Sequence, residues 1–159
     1  PVSKNRQNLG KGIRVKGIDN VLIRFSKCCN PVPGDDIIGY ITRGRGVSVH
    51  RVDCPNIIAL QSEPQRRIDE EWDAPSGSSY PVEIHVEAID KVNLLSNIIN
   101  AINEQKTVIE AVNARINNKQ QMAHIDLVVD ISGVNQMNAV MEKIRQVDGV
   151  VEVYRAFPT

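Results

Sequence analysis

Val82, Ile84, Val86 and Ala88 alternate with Glu83, His85 and Glu87. A period of two marks a strand with one face buried. Leu94, Leu95, Ile98, Ile99 and Ile102 then recur at helical spacing with polar residues between them. Thr107–Arg115 and Ala123–Ile131 follow as two strands joined by the polar run Asn117-Asn118-Lys119-Gln120, and the second puts Ala123, Ile125, Leu127, Val129 and Ile131 on one face. Met137, Val140, Met141, Ile144 and Val147 form another helical stripe, with Gly149 after it as a C-cap candidate, and Val150–Phe157 is the last strand. The order βαββαβ predicts a ferredoxin-like sandwich with both helices on one sheet face.

The pattern before residue 80 is shorter and richer in turns. Val21, Ile23 and Phe25 alternate on a strand that runs directly into Cys28-Cys29. Asp36–Thr42 and Val47–Val52 read as strands flanking a tight Arg43-Gly44-Arg45-Gly46 loop, and Pro55-Asn56 opens a short helical segment, Ile57–Gln61. Periodicity weakens from Ser62 through the acidic cluster Asp69-Glu70-Glu71, and Pro75–Ser79 is linker chemistry. The chain is therefore expected to be α+β in two modules: a linker over 1–17, a small β-rich domain over 18–75 and the βαββαβ domain over 80–159.

Charge sharpens this division. The formal net charge is zero, yet residues 1–56 hold ten Lys/Arg against four Asp/Glu and residues 57–159 hold nine against fifteen. A basic first half is either a phosphate-facing surface or a solvated linker, and composition leaves both open. No apolar run approaches the roughly 18 residues that span a bilayer. The polar start carries no secretory leader pattern, so a cytoplasmic location with reduced thiols is expected. The start at Pro1 instead of Met predicts a piece of something longer.

The three cysteines carry the most chemistry. Cys28 and Cys29 are adjacent, His50 follows, and Cys54 comes four residues after it. Three thiolates and an imidazole make the closed donor set of a structural zinc ion, which would also stabilise a domain too small to hold much core. An odd number of cysteines argues against disulfides. The plain alternative is that these are small buried residues. Adjacent cysteines reach one metal only at a bend, which Asn30-Pro31-Val32-Pro33-Gly34 is expected to supply.

Arg43, Arg45 and Arg51 on or near the glycine-rich turn suit bidentate phosphate contacts, or else form a solvated hairpin tip. The turn Asp90-Lys91-Val92-Asn93-Leu94-Leu95 joins a strand to a helix. Exposed amides there favour a carboxylate and Asp90 an ammonium, which together suit an amino acid; simple N-capping by Asp90 or Asn93 is the alternative. His85 and His124 lie on the polar side of their strands with no nucleophile nearby and read as surface or interface histidines. No catalytic constellation is apparent.

The phrases Phe25-Ser-Lys-Cys-Cys-Asn-Pro-Val-Pro-Gly-Asp-Asp, Gly39-Tyr-Ile-Thr-Arg-Gly-Arg-Gly-Val-Ser-Val-His-Arg and Asp53-Cys-Pro-Asn resemble the conserved-cysteine (zinc-finger or RIS) domain of the long RelA/SpoT family, the ribosome-associated (p)ppGpp synthetase/hydrolases of the stringent response. The βαββαβ module resembles the ACT domain that ends those proteins. The resemblance implies a zinc site at Cys28, Cys29, His50 and Cys54. It also implies a non-catalytic regulatory region that docks on the ribosome when uncharged tRNA occupies the A site, and that controls catalytic domains lying N-terminal to it. By this analogy Arg43, Arg45 and Arg51 face large-subunit rRNA.

ACT domains bind small amino acids at the first strand–helix turn, often between two copies. Branched-chain amino acids are the candidates here, at Asp90, Asn93, Leu94 and Leu95. The usual turn reads Asp-Arg-x-Gly-Leu-Leu; Lys91 replaces its Arg and Asn93 its Gly, leaving the Asn93 amide as a contact for the ligand's polar groups. Two rival readings follow from the same residues: an amino-acid sensor without RNA contact, and a self-association module that pairs exposed strand edges into a homodimer.

Overall fold

Short stretches of β-branched residues, set between glycine and proline turns, build the first part of the chain. The computed structural model describes residues 12–15, 22–42, 44, 46–73 and 77–157. The chain divides into two compact units, residues 1–78 with 157–159 and residues 79–156.

The first unit contains β1 (Ile13–Val15), β2 (Ile23–Phe25), β3 (Ile37–Thr42), β4 (Gly46–Arg51), helix α1 (Ile57–Leu60), β5 (Arg67–Ile68) and β6 (Glu70–Trp72). A four-stranded sheet has the order β2-β4-β3-β5, and β1 pairs with β6 in a separate ribbon. β3 and β4 are antiparallel from Ile37↔Arg51 to Thr42↔Gly46. β2 runs parallel to β4, and Gly46 at φ +81° lies against the Leu22 backbone, where a Cβ has no room. Ile13, Ile23 and Val49 are buried together with Phe25, Ile37, Ile68 and Trp72 packed around them. The Phe25 and Trp72 rings stack with centroids 5.7 Å apart.

One expectation changes here. Ile13–Val15, assigned above to a leading linker, form β1 in register with β6, Ile13 opposite Trp72. The stretch from Ser62 to the acidic cluster, where periodicity weakens, carries the strands Arg67–Ile68 and Glu70–Trp72. These strands are too short to show a period, and partners remote in sequence decide their conformation, β1 for β6 and β3 for β5.

The second unit contains β7 (Tyr80–Ile89), α2 (Leu94–Glu104), β8 (Val108–Asn117), β9 (Met122–Ile131), α3 (Val134–Arg145) and β10 (Val150–Arg155). Its sheet order is β10-β7-β9-β8 with every pair antiparallel, the expected βαββαβ sandwich. Val82, Ile84, Val86 and Ala88 on β7 and the five alternate residues of β9 are buried, as are Leu94, Ile98 and Ile102 of α2 and Met137, Val140 and Ile144 of α3. Gly149 is not the C-cap. α3 ends at Arg145 with Gln146 as its cap, and Gly149 at φ +94° turns the chain into β10, its carbonyl accepting from the Ile89 N–H at 2.8 Å.

The two units are unequally stabilised. Among the described residues, the largest fully buried side chains of the second are Ile84, Ile98, Ile102, Ile125, Leu127, Ile131 and Ile144, whereas those of the first are Val32, Val47 and Val49. At about 1.5–3 kcal/mol for each large aliphatic side chain buried, the second unit holds itself by its core and the first draws on something more. Among the described residues no helix is long and apolar enough to cross a membrane.

Candidate functional site

β2 ends in a turn that holds the cysteine pair. Cys29 and Asn30 donate their N–H groups to the Ser26 carbonyl at 3.3 and 3.0 Å, and Asn30 sits at φ 43°. The bend is therefore made over Ser26–Asn30, around the cysteines themselves. Asn tolerates the left-handed region better than most residues.

His50 comes from the far end of β4, opposite Ile38, and Cys54 from the turn that follows, its N–H donating to the Arg51 carbonyl at 3.1 Å. These two elements and the β2 turn bring all four predicted ligands together. Cys28 Sγ lies 3.6 Å from His50 Nδ1 and 3.5 Å from Cys54 Sγ, and Cys29 Sγ lies 3.8 Å from His50 Nδ1. The four donor atoms are all within 4.8 Å of one another. Zinc bonds of about 2.3 Å to sulfur and about 2.0–2.1 Å to nitrogen set tetrahedral edges of about 3.5–3.8 Å, so the donors fit such an ion.

The surrounding contacts agree with that chemistry. The Arg51 N–H points at Cys29 Sγ, 3.4 Å away, a donor that favours thiolate. The Ser48 hydroxyl lies 3.3 Å from His50 Nε2 and is itself held 2.8 Å from the Ser26 hydroxyl, which directs Nδ1 at the sulfurs. These two serines were missed from the sequence, although Ser48 lies two residues before His50 on the same strand face. Burial pushes the Cys29 and Cys54 thiols up and the His50 imidazole down. The protein atoms alone thus favour neutral donors, and a divalent cation between them is what would convert thiols to thiolates. Cys29, Cys54 and Ile57 share a small apolar cluster with Cys28 and Ile38 at its edge, which shields the donors from water.

Arg43 and Arg45 lie outside the described residues. Arg51 departs from the expectation of an RNA-facing cation. Its side chain is 10% exposed and its guanidinium is paired with Asp53 at 2.5 Å. It pins the turn that carries Cys54.

In the second unit, Asp90, Asn93, Leu94 and Leu95 all line one open cavity of about 470 Å³ between α2 and the β8–β9 hairpin, with Ile99 and Ile116 on its walls. Neither Asp90 nor Asn93 caps the helix by its side chain. Asn93 sits at φ 65°, the left-handed conformation that a glycine would supply, so the turn keeps its shape without one. Lys91 pairs with Asp148 at 3.2 Å. The cavity exists because α2 leaves β8 bare: Val112 and Ile116 are 39% and 54% exposed although they pair with the buried Leu127 and Ala123.

The family model for the RelA/SpoT RIS domain matches residues 13–73, and that for the ACT domain matches residues 76–155. A GTP pyrophosphokinase of Streptomyces coelicolor is 38% identical over 96% of this chain, and one of Escherichia coli K12 is 35% identical over 96%. The chain spans only 18% and 21% of those relatives, about a fifth of their length. The solved ACT domain from GTP pyrophosphokinase of Chlorobium tepidum is 23% identical, with a TM-score of 0.44 over 49% of this chain and 99% of that one. Neither matched domain is catalytic. Two adjoining domain matches and relatives aligned along almost the whole chain lead to one conclusion: this chain belongs to the RelA/SpoT family, as its RIS–ACT regulatory region.

Proposed function

We propose that this chain is the control module of a cytoplasmic stringent-response (p)ppGpp synthetase/hydrolase, made of a zinc-stabilised, RNA-facing RIS unit and an ACT unit. The observation that carries this reading is the convergence of the four donors Cys28, Cys29, His50 and Cys54 within the residues that match the RIS domain. Zinc there fastens the β2 turn to the end of β4 in a unit with little aliphatic core. In this reading Arg43 and Arg45, which follow β3 in the sequence, contact phosphates of large-subunit rRNA. Support comes from the neighbouring edge strand β2, where Arg24 and the following Lys27 are exposed and Leu22 abuts the foot of the turn at Gly46. Docked beside uncharged tRNA, the module controls the catalytic domains N-terminal to it.

The test is binding to ribosomes carrying deacylated A-site tRNA, wild type against Arg43→Ala/Arg45→Ala, across a salt series. The double variant is expected to bind more weakly, with the slope of log affinity against log salt reduced by about 0.9 for each lost phosphate contact. Unaltered affinity and slope would remove the arginines from the interface.

The cavity under α2 favours a second role for the ACT unit. A branched-chain amino acid would place its side chain against Leu94, Leu95 and Ile116 and its charged groups at Asp90 and Asn93. A second copy of the chain covering the bare side of β8 would close the cavity. Calorimetry with valine tests the first point and ultracentrifugation the second; no heat and a concentration-independent monomer would reject this role.

A further inference from the structure

On the face of the ACT sheet turned away from the helices, strand register brings two imidazoles and a carboxylate together. Glu87 on β7 lies directly opposite His124 on β9, and His85 is two residues before Glu87 on the same face. His85 Nε2 is 3.7 Å and His124 Nδ1 3.8 Å from the same Glu87 oxygen, Oε1. All three donor atoms lie within 4.8 Å of one another. His85 is also oriented for the task. Its Nδ1 is 2.6 Å from Asp126 Oδ1, and since a carboxylate only accepts, that nitrogen holds the proton and Nε2 keeps its lone pair. A carboxylate behind a histidine is how metal-binding imidazoles are fixed.

We propose that His85 Nε2, Glu87 Oε1 and His124 Nδ1 bind a divalent transition-metal ion of the zinc, cobalt and nickel class on the open face of the ACT sheet. Bonds of about 2.0–2.1 Å need tetrahedral edges of about 3.3 Å, so Glu87 Oε1 closes on each imidazole by a few tenths of an ångström, and the two imidazole nitrogens, within 4.8 Å of each other, draw together by up to about 1.5 Å. Two nitrogen donors favour this class over magnesium or calcium, which take oxygen. The local field favours a cation, because Glu152 of β10 pairs in register with Glu87 and Asp126 lies beside His85, with Arg115, 3.8 Å from Asp126, as an opposing charge. Three protein donors leave the remaining positions to water or to a donor from another molecule. The aliphatic core of the unit lies on the opposite face, and on this one His85 is buried beside the Tyr154 ring, their centroids 5.0 Å apart.

The chain has three histidines, His50, His85 and His124, and their side-chain nitrogens give separate NMR signals. Zinc is titrated into the intact chain while those signals and calorimetric stoichiometry are followed. The wild type is expected to bind one more equivalent than His124→Gln, with His85 and His124 moving together on that equivalent. Glu87→Gln is expected to weaken it at least tenfold at unchanged metal-free melting temperature. Equal stoichiometry in wild type and His124→Gln, or His85 and His124 signals unmoved up to millimolar zinc, would overturn the proposal. A still His50 signal would count against the cysteine site alone.

Discussion

Glu70 points the way Trp72 points, toward the core of the first unit, because the two share a face of β6. Its carboxylate oxygens are buried without a hydrogen-bond partner. They occupy the space above Gly39, where a Cβ would collide with them. Burial pushes this carboxyl from its ordinary 4.5 to about 8. In the denatured chain Glu70 ionises near the lower value. Between about pH 4.5 and pH 8 the folded state therefore holds a proton that the denatured state has lost, and stability falls as pH rises across that window. Below it the ionisation of Glu70 costs nothing, and above it that cost is constant. At about 1.4 kcal/mol per tenfold change in proton affinity the full displacement bounds the cost at about 5 kcal/mol, and solvent screening on a partly open strand leaves about 2–3 kcal/mol. Glu70→Gln keeps the shape and removes the charge. Its stability is expected to equal wild type near pH 4.5 and to exceed it by about 2–3 kcal/mol at pH 8. The assay is urea unfolding followed by fluorescence of Trp72, the chain's single tryptophan, which reports the unit in question. Taking the difference between variants at each pH cancels the titration of the cysteine site. Gly39→Ala, which drives the carboxylate outward, is expected to flatten the wild-type dependence with Glu70 intact. A difference between Glu70→Gln and wild type that stays constant from pH 4.5 to pH 8 would refute the argument.

Three further outcomes are expected. Cys29→Ser, or chelation of the wild type, is expected to release bound zinc and lower the melting temperature of the first unit by more than about 10 °C, the affinity for metal falling as pH drops because protons compete for the donors; an unchanged melting temperature with one zinc retained would contradict this. Gly46→Ala combines a positive φ with a collision against the Leu22 backbone, and a loss of about 2 kcal/mol or more in urea unfolding is expected. Val112→Lys/Ile116→Lys places charges on the bare side of β8 and is expected to abolish self-association in sedimentation without unfolding the ACT unit; a dimer that survives would locate the contact elsewhere.

The βαββαβ order was legible because its strands and helices are long enough to carry a period, as at Val82–Ala88 and in the stripe Leu94–Ile102. The four cysteine-site donors were legible because residue type and spacing survive any fold. Tertiary structure decided what short segments became. Ile13–Val15 and Glu70–Trp72 have no period of their own and are strands only because they meet each other. It also separated residues that look alike in sequence, since Arg51 is buried against Asp53 whereas Arg24 is exposed. His85, Glu87 and His124 show only as polar positions until antiparallel register sets β7 against β9. Local chemistry is written along the chain, but burial and distance are properties of pairs remote in sequence, and those fixed the orphaned Glu70 carboxylate, the cavity beside β8 and the second donor cluster.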